Sequence, residues 1–140
     1  MRKLFILLVA AAFMASCAKD PNKEANENLE GTWSVNSVTM DGTQVFGPDN
    51  LINEATMVFA MTDDATGTVK TTITVFKGTP FESTDTENST YEITEEATKI
   101  KLTDSDGKVT DGTMTLEDTN LTVSYTDEDG VAVVQKATKQ

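Results

Sequence analysis

The sequence predicts an all-β domain, an eight-stranded antiparallel up-and-down barrel, with an open β-sandwich as the alternative arrangement. Three observations carry this. Short stretches in which apolar and polar residues alternate recur about every 10 to 15 residues from residue 29 onward, the spacing of sandwiches and barrels. Turn signals separate them, chiefly Asp41-Gly42, Asp106-Gly107 and Asp129-Gly130. Threonine accounts for 24 of the 140 residues, and a polar β-branched side chain suits a strand face that meets water.

The first strand is the most strongly patterned. Trp33 and Val35 alternate with Thr32, Ser34 and Asn36, and then the parity flips, so that Val38 and Met40 are apolar. A shift of one residue turns a strand's side chains to the opposite face. A bulge near Asn36-Ser37 absorbs such a shift and bends the strand, as a barrel requires. Trp33, the only tryptophan, reads as a plug in the core at the closed end of the barrel. Gly31 leaves room for a close backbone approach beside the indole.

The remaining elements follow in order. Residues 45–54 read as a loop with an apolar content, in which Pro48 starts one helical turn through Glu54. It serves either as a plug over the end of the core or as a lid over a barrel mouth. Met57, Phe59 and Met61 mark a second strand, residues 63–67 a turn, and Val69, Thr71, Ile73 and Val75 a third strand. Residues 77–90 are polar and contain Pro80 and Phe81, so they are expected to form a long loop or frayed strand ends. Tyr91 and Ile93 mark a fourth strand, and Ile100 and Leu102 a fifth. The sixth covers residues 109–116 with an interruption at Asp111-Gly112. Leu121, Val123 and Tyr125 make the seventh, and residues 131–137 the eighth.

The N-terminus has a different character. Arg2-Lys3 precedes an apolar run over residues 4–13, too short for a comfortable membrane span, so residues 1–16 read as an export signal. Met14-Ala15-Ser16-Cys17 resembles the lipobox of bacterial lipoproteins, which implies that Cys17 is lipidated and anchors the chain in a membrane. No Asp follows Cys17 directly, so the expected location is the outer membrane, on its periplasmic face or at the cell surface. Cys17 is the sole cysteine, which excludes a disulfide within the chain. Residues 18–28 lack large apolar side chains. The expected organisation is therefore a signal at 1–16, a lipidated Cys and disordered tether at 17–28, and the barrel domain at 29–140. A coil of this length spans on the order of 20 Å.

Composition excludes several functions. The formal net charge is −12, and loss of Arg2 and Lys3 with the signal takes it to −14. Nucleic acid and anionic lipid surfaces are disfavoured partners. The chain has no histidine, which removes Ser–His and Cys–His catalysis and His-ligated zinc. Asp63-Asp64 and Glu95-Glu96 fall at turns, where carboxylates are ordinarily solvated. Asp104-Ser105-Asp106-Gly107 and Asp127-Glu128-Asp129-Gly130 lack the Glu that a calcium loop needs six residues after its Gly. Thr113 and Lys136 stand there instead. The expectation is a protein that is not an enzyme and uses no metal or cofactor.

The segment Leu29-Glu30-Gly31-Thr32-Trp33 is similar to the Gly-x-Trp opening of lipocalins. With Val35, Ser37-Val38 and Asp41-Gly42 after it, it resembles the short lipocalin-like domains of bacterial lipoproteins. Residues 121–126 resemble their penultimate strand, and the similarity extends over roughly residues 29–138. The resemblance implies a barrel that holds a small apolar ligand. The alternative is a non-enzymatic interaction or structural lipoprotein of the outer membrane whose barrel is filled. Lipocalins stack an Arg on the Trp from near the chain end, and Lys136 stands in for it here. The candidate cavity residues are Val35, Met57, Phe59, Ile73, Val75, Tyr91 and Tyr125, with Gly31 and Trp33 closing the core.

Overall fold

The barrel closes on β1 (Gly31–Met40), the strand with the strongest pattern. In the computed structural model, which describes residues 19–140, β1 pairs on one side with β3 (Ile52–Met61) and on the other with the last strand, β9 (Ala132–Lys139). Between them run β4 (Thr66–Val75), β5 (Ser83–Thr94), β6 (Lys99–Thr103), β7 (Val109–Glu117) and β8 (Asn120–Thr126), each antiparallel to its neighbours. Eight strands close the barrel, and a short extra strand, β2 (Thr43–Gln44), pairs with the end of β1. Closure pairs each of the eight strands on both sides over part of its length, which leaves little free edge for edge-to-edge association. Cys17 and residues 1–16, for which the sequence suggests an export signal, lie outside the described residues.

The register of β1 against β9 shifts between Val35 and Ser37, so the bulge falls where the parity of the sequence flips. Trp33 and Val35 before it and Val38 after it are all buried. Asn36 is the extra residue. It faces solvent and donates to the Thr138 hydroxyl at 2.8 Å.

Residues 83–90, expected to lie in a polar loop, are part of β5, and only residues 76–82 turn. Every residue from Ser83 to Glu92 pairs with β4, and the hydroxyls of Thr74 and Thr84 meet at 2.9 Å across the ladder. Backbone pairing to β4 and outward threonine pairs hold a strand that has no apolar alternation of its own. Gly67, placed in a turn by sequence, lies in β4, and Asp111-Gly112 does not interrupt β7. The loop at residues 45–51 contains no helical turn. The Asn53 amide donates to the carbonyls of Gly47, Pro48 and Asn50, and Val45, Phe46 and Ile52 pack on the core. It plugs the gap that opens where β1 parts from β3.

The largest departure concerns residues 18–28, expected to be a disordered tether. Pro21–Leu29 form a helix, α1, laid across one end of the barrel. Asp20 caps it, accepting from the Asn22 amide at 2.9 Å, and Pro21 occupies the first turn, where its missing N–H costs nothing. The helix buries only Ala25, Asn26 and Leu29. A search for large apolar residues overlooks it because a buried amide, rather than an apolar stripe, fastens it.

Candidate ligand-binding site

The two ends of the barrel differ in filling and in chemistry. At the closed end, α1 covers Trp33, which is fully buried and donates its indole N–H to the Leu29 carbonyl at 2.7 Å. Asn26 is also fully buried. Its amide donates to the Asp63 carbonyl at 2.8 Å and the Thr66 carbonyl at 3.1 Å, and its oxygen accepts from the Tyr91 hydroxyl at 2.5 Å. One amide thus ties α1 to the β3–β4 turn and to β5. The cation over the indole is Lys139, with Nζ 5.7 Å from the ring centre, and it also donates to the Asn28 carbonyl. Lys136, the residue expected there, is exposed on the outer face. It pairs with Ser37, while Lys139, three residues later and on the inward row of β9, pairs with Trp33. Gly31 has a φ of +127° and makes room for the Lys139 side chain rather than for the indole.

Gly67 pairs with Tyr91, and a Cβ placed on it would come within 2.4 Å of the Tyr91 hydroxyl oxygen. The ring lies in the space that the missing side chain leaves. Burial pushes the Tyr91 hydroxyl up to about 12, with a smaller contribution from the Glu30 carboxylate. Tyr91 meets Phe59 edge to face, with centroids 5.4 Å apart, and this pair separates the filled end from the space above it.

At the open end lies a cavity of about 230 Å³. Its floor is apolar: Met57 and Phe59 from β3, Val69 from β4, Ile100 from β6 and Val123 from β8. Thr71 and Ile73 continue one wall and Tyr125 another. The lip is polar and carries Glu87, Asp104, Lys108 and Gln135. Gln135 donates to the Tyr125 hydroxyl at 3.1 Å. Burial raises that hydroxyl's pKa, the Asp127 and Glu87 carboxylates raise it further, and the Gln135 hydrogen bond opposes them.

Four of the seven candidate cavity residues, Met57, Phe59, Ile73 and Tyr125, are brought together here. Tyr91 is turned to the closed end by Asn26. Val35 is packed into the core opposite Ala137, and Val75 sits at the rim of β4, outside the cavity wall. The polar lip escaped the sequence reading. Glu87 and Ser89 follow the same inward parity as Tyr91, but with no apolar alternation to mark them, parity along β5 was the only available signal.

No family model matches this chain, and no curated protein matches it. Solved structures are similar to it in fold. A redesigned β-barrel superposes with a TM-score of 0.62 at 20% identity, over 83% of this chain and 95% of that one. The redesigned barrel mFAP1, bound to DFHBI, gives 0.58 at 19% identity, over 82% of this chain and 98% of that one. Japanin from Rhipicephalus appendiculatus, bound to cholesterol, gives 0.56 at 11% identity, over 78% of this chain and 74% of that one. The fold is a closed lipocalin-like barrel.

Proposed function

We propose that this protein is a binding module that holds a small apolar ligand in the open end of its barrel, on a chain anchored to the outer membrane through a lipid on Cys17. The observation that carries the ligand reading is the cavity itself. The closed end is packed solid, yet the space above Phe59 is left unfilled over an apolar floor. Proteins fill core space to near-crystalline density, so an unfilled apolar volume under a polar lip needs an occupant to explain it. mFAP1 and Japanin each hold a small molecule, which agrees with this use of the fold. At about 230 Å³ the cavity is smaller than a drug-sized pocket, so its ligand is smaller than a sterol.

Calorimetric titration of residues 19–140, which hold every element described, with small neutral apolar probes from hexanol to naphthalene tests this. Saturable, near-stoichiometric binding is expected. Thr71→Phe, which places a ring in the cavity, is expected to weaken it at least tenfold while leaving the melting temperature unchanged or higher. No saturation by any probe moves the assignment to a filled-barrel interaction lipoprotein.

The helix changes the geometry of the anchor. Pro21 is its first residue, so Cys17 and the helix are joined by a link that spans no more than about 14 Å when extended. The closed end then faces the bilayer and the mouth faces away from it, so ligand enters from the aqueous side. Cys17→Ser is expected to yield a protein that no longer partitions into detergent. Wild-type partitioning of that variant after signal removal contradicts the anchor.

A further inference from the structure

We propose that the ligand is a short amphiphile with a protonated amine at its head. This rests on the cavity being a ligand site, as argued above, and adds the chemistry of the occupant. The floor supplies only apolar contact, so any charge on the ligand lies at the lip. Three ionisable groups other than Tyr125 stand there: Glu87, Asp104 and Lys108. The Lys108 ammonium is already paired with Glu128 on the neighbouring β8–β9 turn. One oxygen of Asp104 accepts from the backbone amides of Asp106 and Lys108, both at 2.9 Å, which fixes that carboxylate at the lip. The Glu87 carboxylate makes no hydrogen bond or ion pair among the described residues; the residue is exposed, on the inward row of β5 opposite Thr71.

The wall explains why Glu87 is placed so. β5 pairs with β6 only over residues 90–94, so residues 83–89 run past the end of β6 and have no neighbour on that side. The β6–β7 turn, with Asp104 and Lys108, stands across that opening. A carboxylate ligand would meet two carboxylates and a cation that Glu128 has already neutralised. An alcohol would gain a hydrogen bond at most. An ammonium would pair with the exposed Glu87 carboxylate and with the half-buried Asp104, whose second oxygen accepts no hydrogen bond among the described residues. Residues 19–140 contain no arginine, so the lip has no alternative anchor for an anion.

The test compares hexylamine, hexanol and hexanoate, which share a tail and differ in the head. Calorimetry on residues 19–140 is expected to show hexylamine binding with near-unit stoichiometry about tenfold more tightly than hexanol, with hexanoate weakest. Glu87→Gln, which removes no side-chain hydrogen bond or ion pair, is expected to bring the hexylamine affinity down toward that of hexanol, the ratio of the two within the variant being the readout. Asp104→Asn keeps the oxygen that holds the turn and is expected to reduce the preference further. Hexanol or hexanoate binding as tightly as hexylamine overturns the amine assignment and leaves the cavity reading standing. An amine preference that survives both variants also overturns it, because the chain's overall negative charge then explains the effect. Failure of all three to saturate removes the ligand reading together with this one.

Discussion

Trp33→Ala is expected to destabilise the barrel by about 3–5 kcal/mol, the range for deleting a large buried aromatic side chain. The indole is wholly enclosed, so the change opens a cavity beneath α1 that the closed strands are unable to collapse into. It also strips the Leu29 carbonyl of its donor, and with that the bond that ends the helix over the core. Lys139 loses the ring beneath its ammonium. At roughly 4 °C per kcal/mol for a domain of this size, the melting temperature should fall by about 12–20 °C. Trp33→Phe separates the two parts. It keeps most of the volume and a face for Lys139 but leaves the Leu29 carbonyl unpaired, at a cost of about 1–3 kcal/mol. Thermal melts of the three proteins decide this. An Ala variant that melts with the wild type, together with water-like emission from Trp33, contradicts the placement of the indole.

Much of the fold was legible because barrel strands buried on one face must alternate, and alternation is written in the residue types. The bulge in β1 could be located from a parity flip alone, since Trp33 and Val38 are both too apolar to face water. Where alternation was missing, the reading failed. β5 carries Ser83, Asp85 and Glu87 on its inward row, because that row lines a wet mouth instead of the core. The same polarity that hid the strand marks the site, so the candidate site was the least legible part of the chain. α1 was missed for a related reason. Asn26 looks like a solvated residue in a polar segment, and only the tertiary structure shows three hydrogen bonds converging on it. The Asp20-Pro21 cap was the available signal. Lys136 was the wrong lysine because it lies three residues before Lys139 in β9, an odd offset that turns it to the outer face, opposite Ser37 rather than Trp33.

The two ends of the barrel divide stability from binding. Trp33, Leu29, Asn26 and Tyr91 close one end with complete burial and satisfied polar groups. Met57, Phe59 and Val123 stop short of filling the other. Substitutions at the closed end should therefore act on folding, and those at the lip on affinity alone. Phe59 and Tyr91, in edge contact, are where the two regions meet.

Asn26→Leu tests that division most directly and is expected to cost about 3 kcal/mol, because a near-isosteric side chain cannot make any of the three hydrogen bonds and leaves a buried hydroxyl stranded. The Asp63 and Thr66 carbonyls each keep a backbone donor, so the Tyr91 hydroxyl bears most of the loss. Combining Asn26→Leu with Tyr91→Phe removes both partners and should recover part of the cost, with a coupling energy of about 1–3 kcal/mol in the double-mutant cycle. Titration of Tyr91 gives a second readout. In the wild type its hydroxyl holds its proton to about 12, above the value near 10 expected of the unfolded chain. The unfolded state then releases the proton first, so this contribution is fully present below pH 10 and is lost as the pH climbs from about 10 to 12. Release of α1 in the Asn26→Leu variant would wet the ring and bring tyrosinate absorption in the near ultraviolet back toward the ordinary value. Unaltered Tyr91 titration and stability within about 0.5 kcal/mol of wild type would show that the amide does not hold the helix on the barrel.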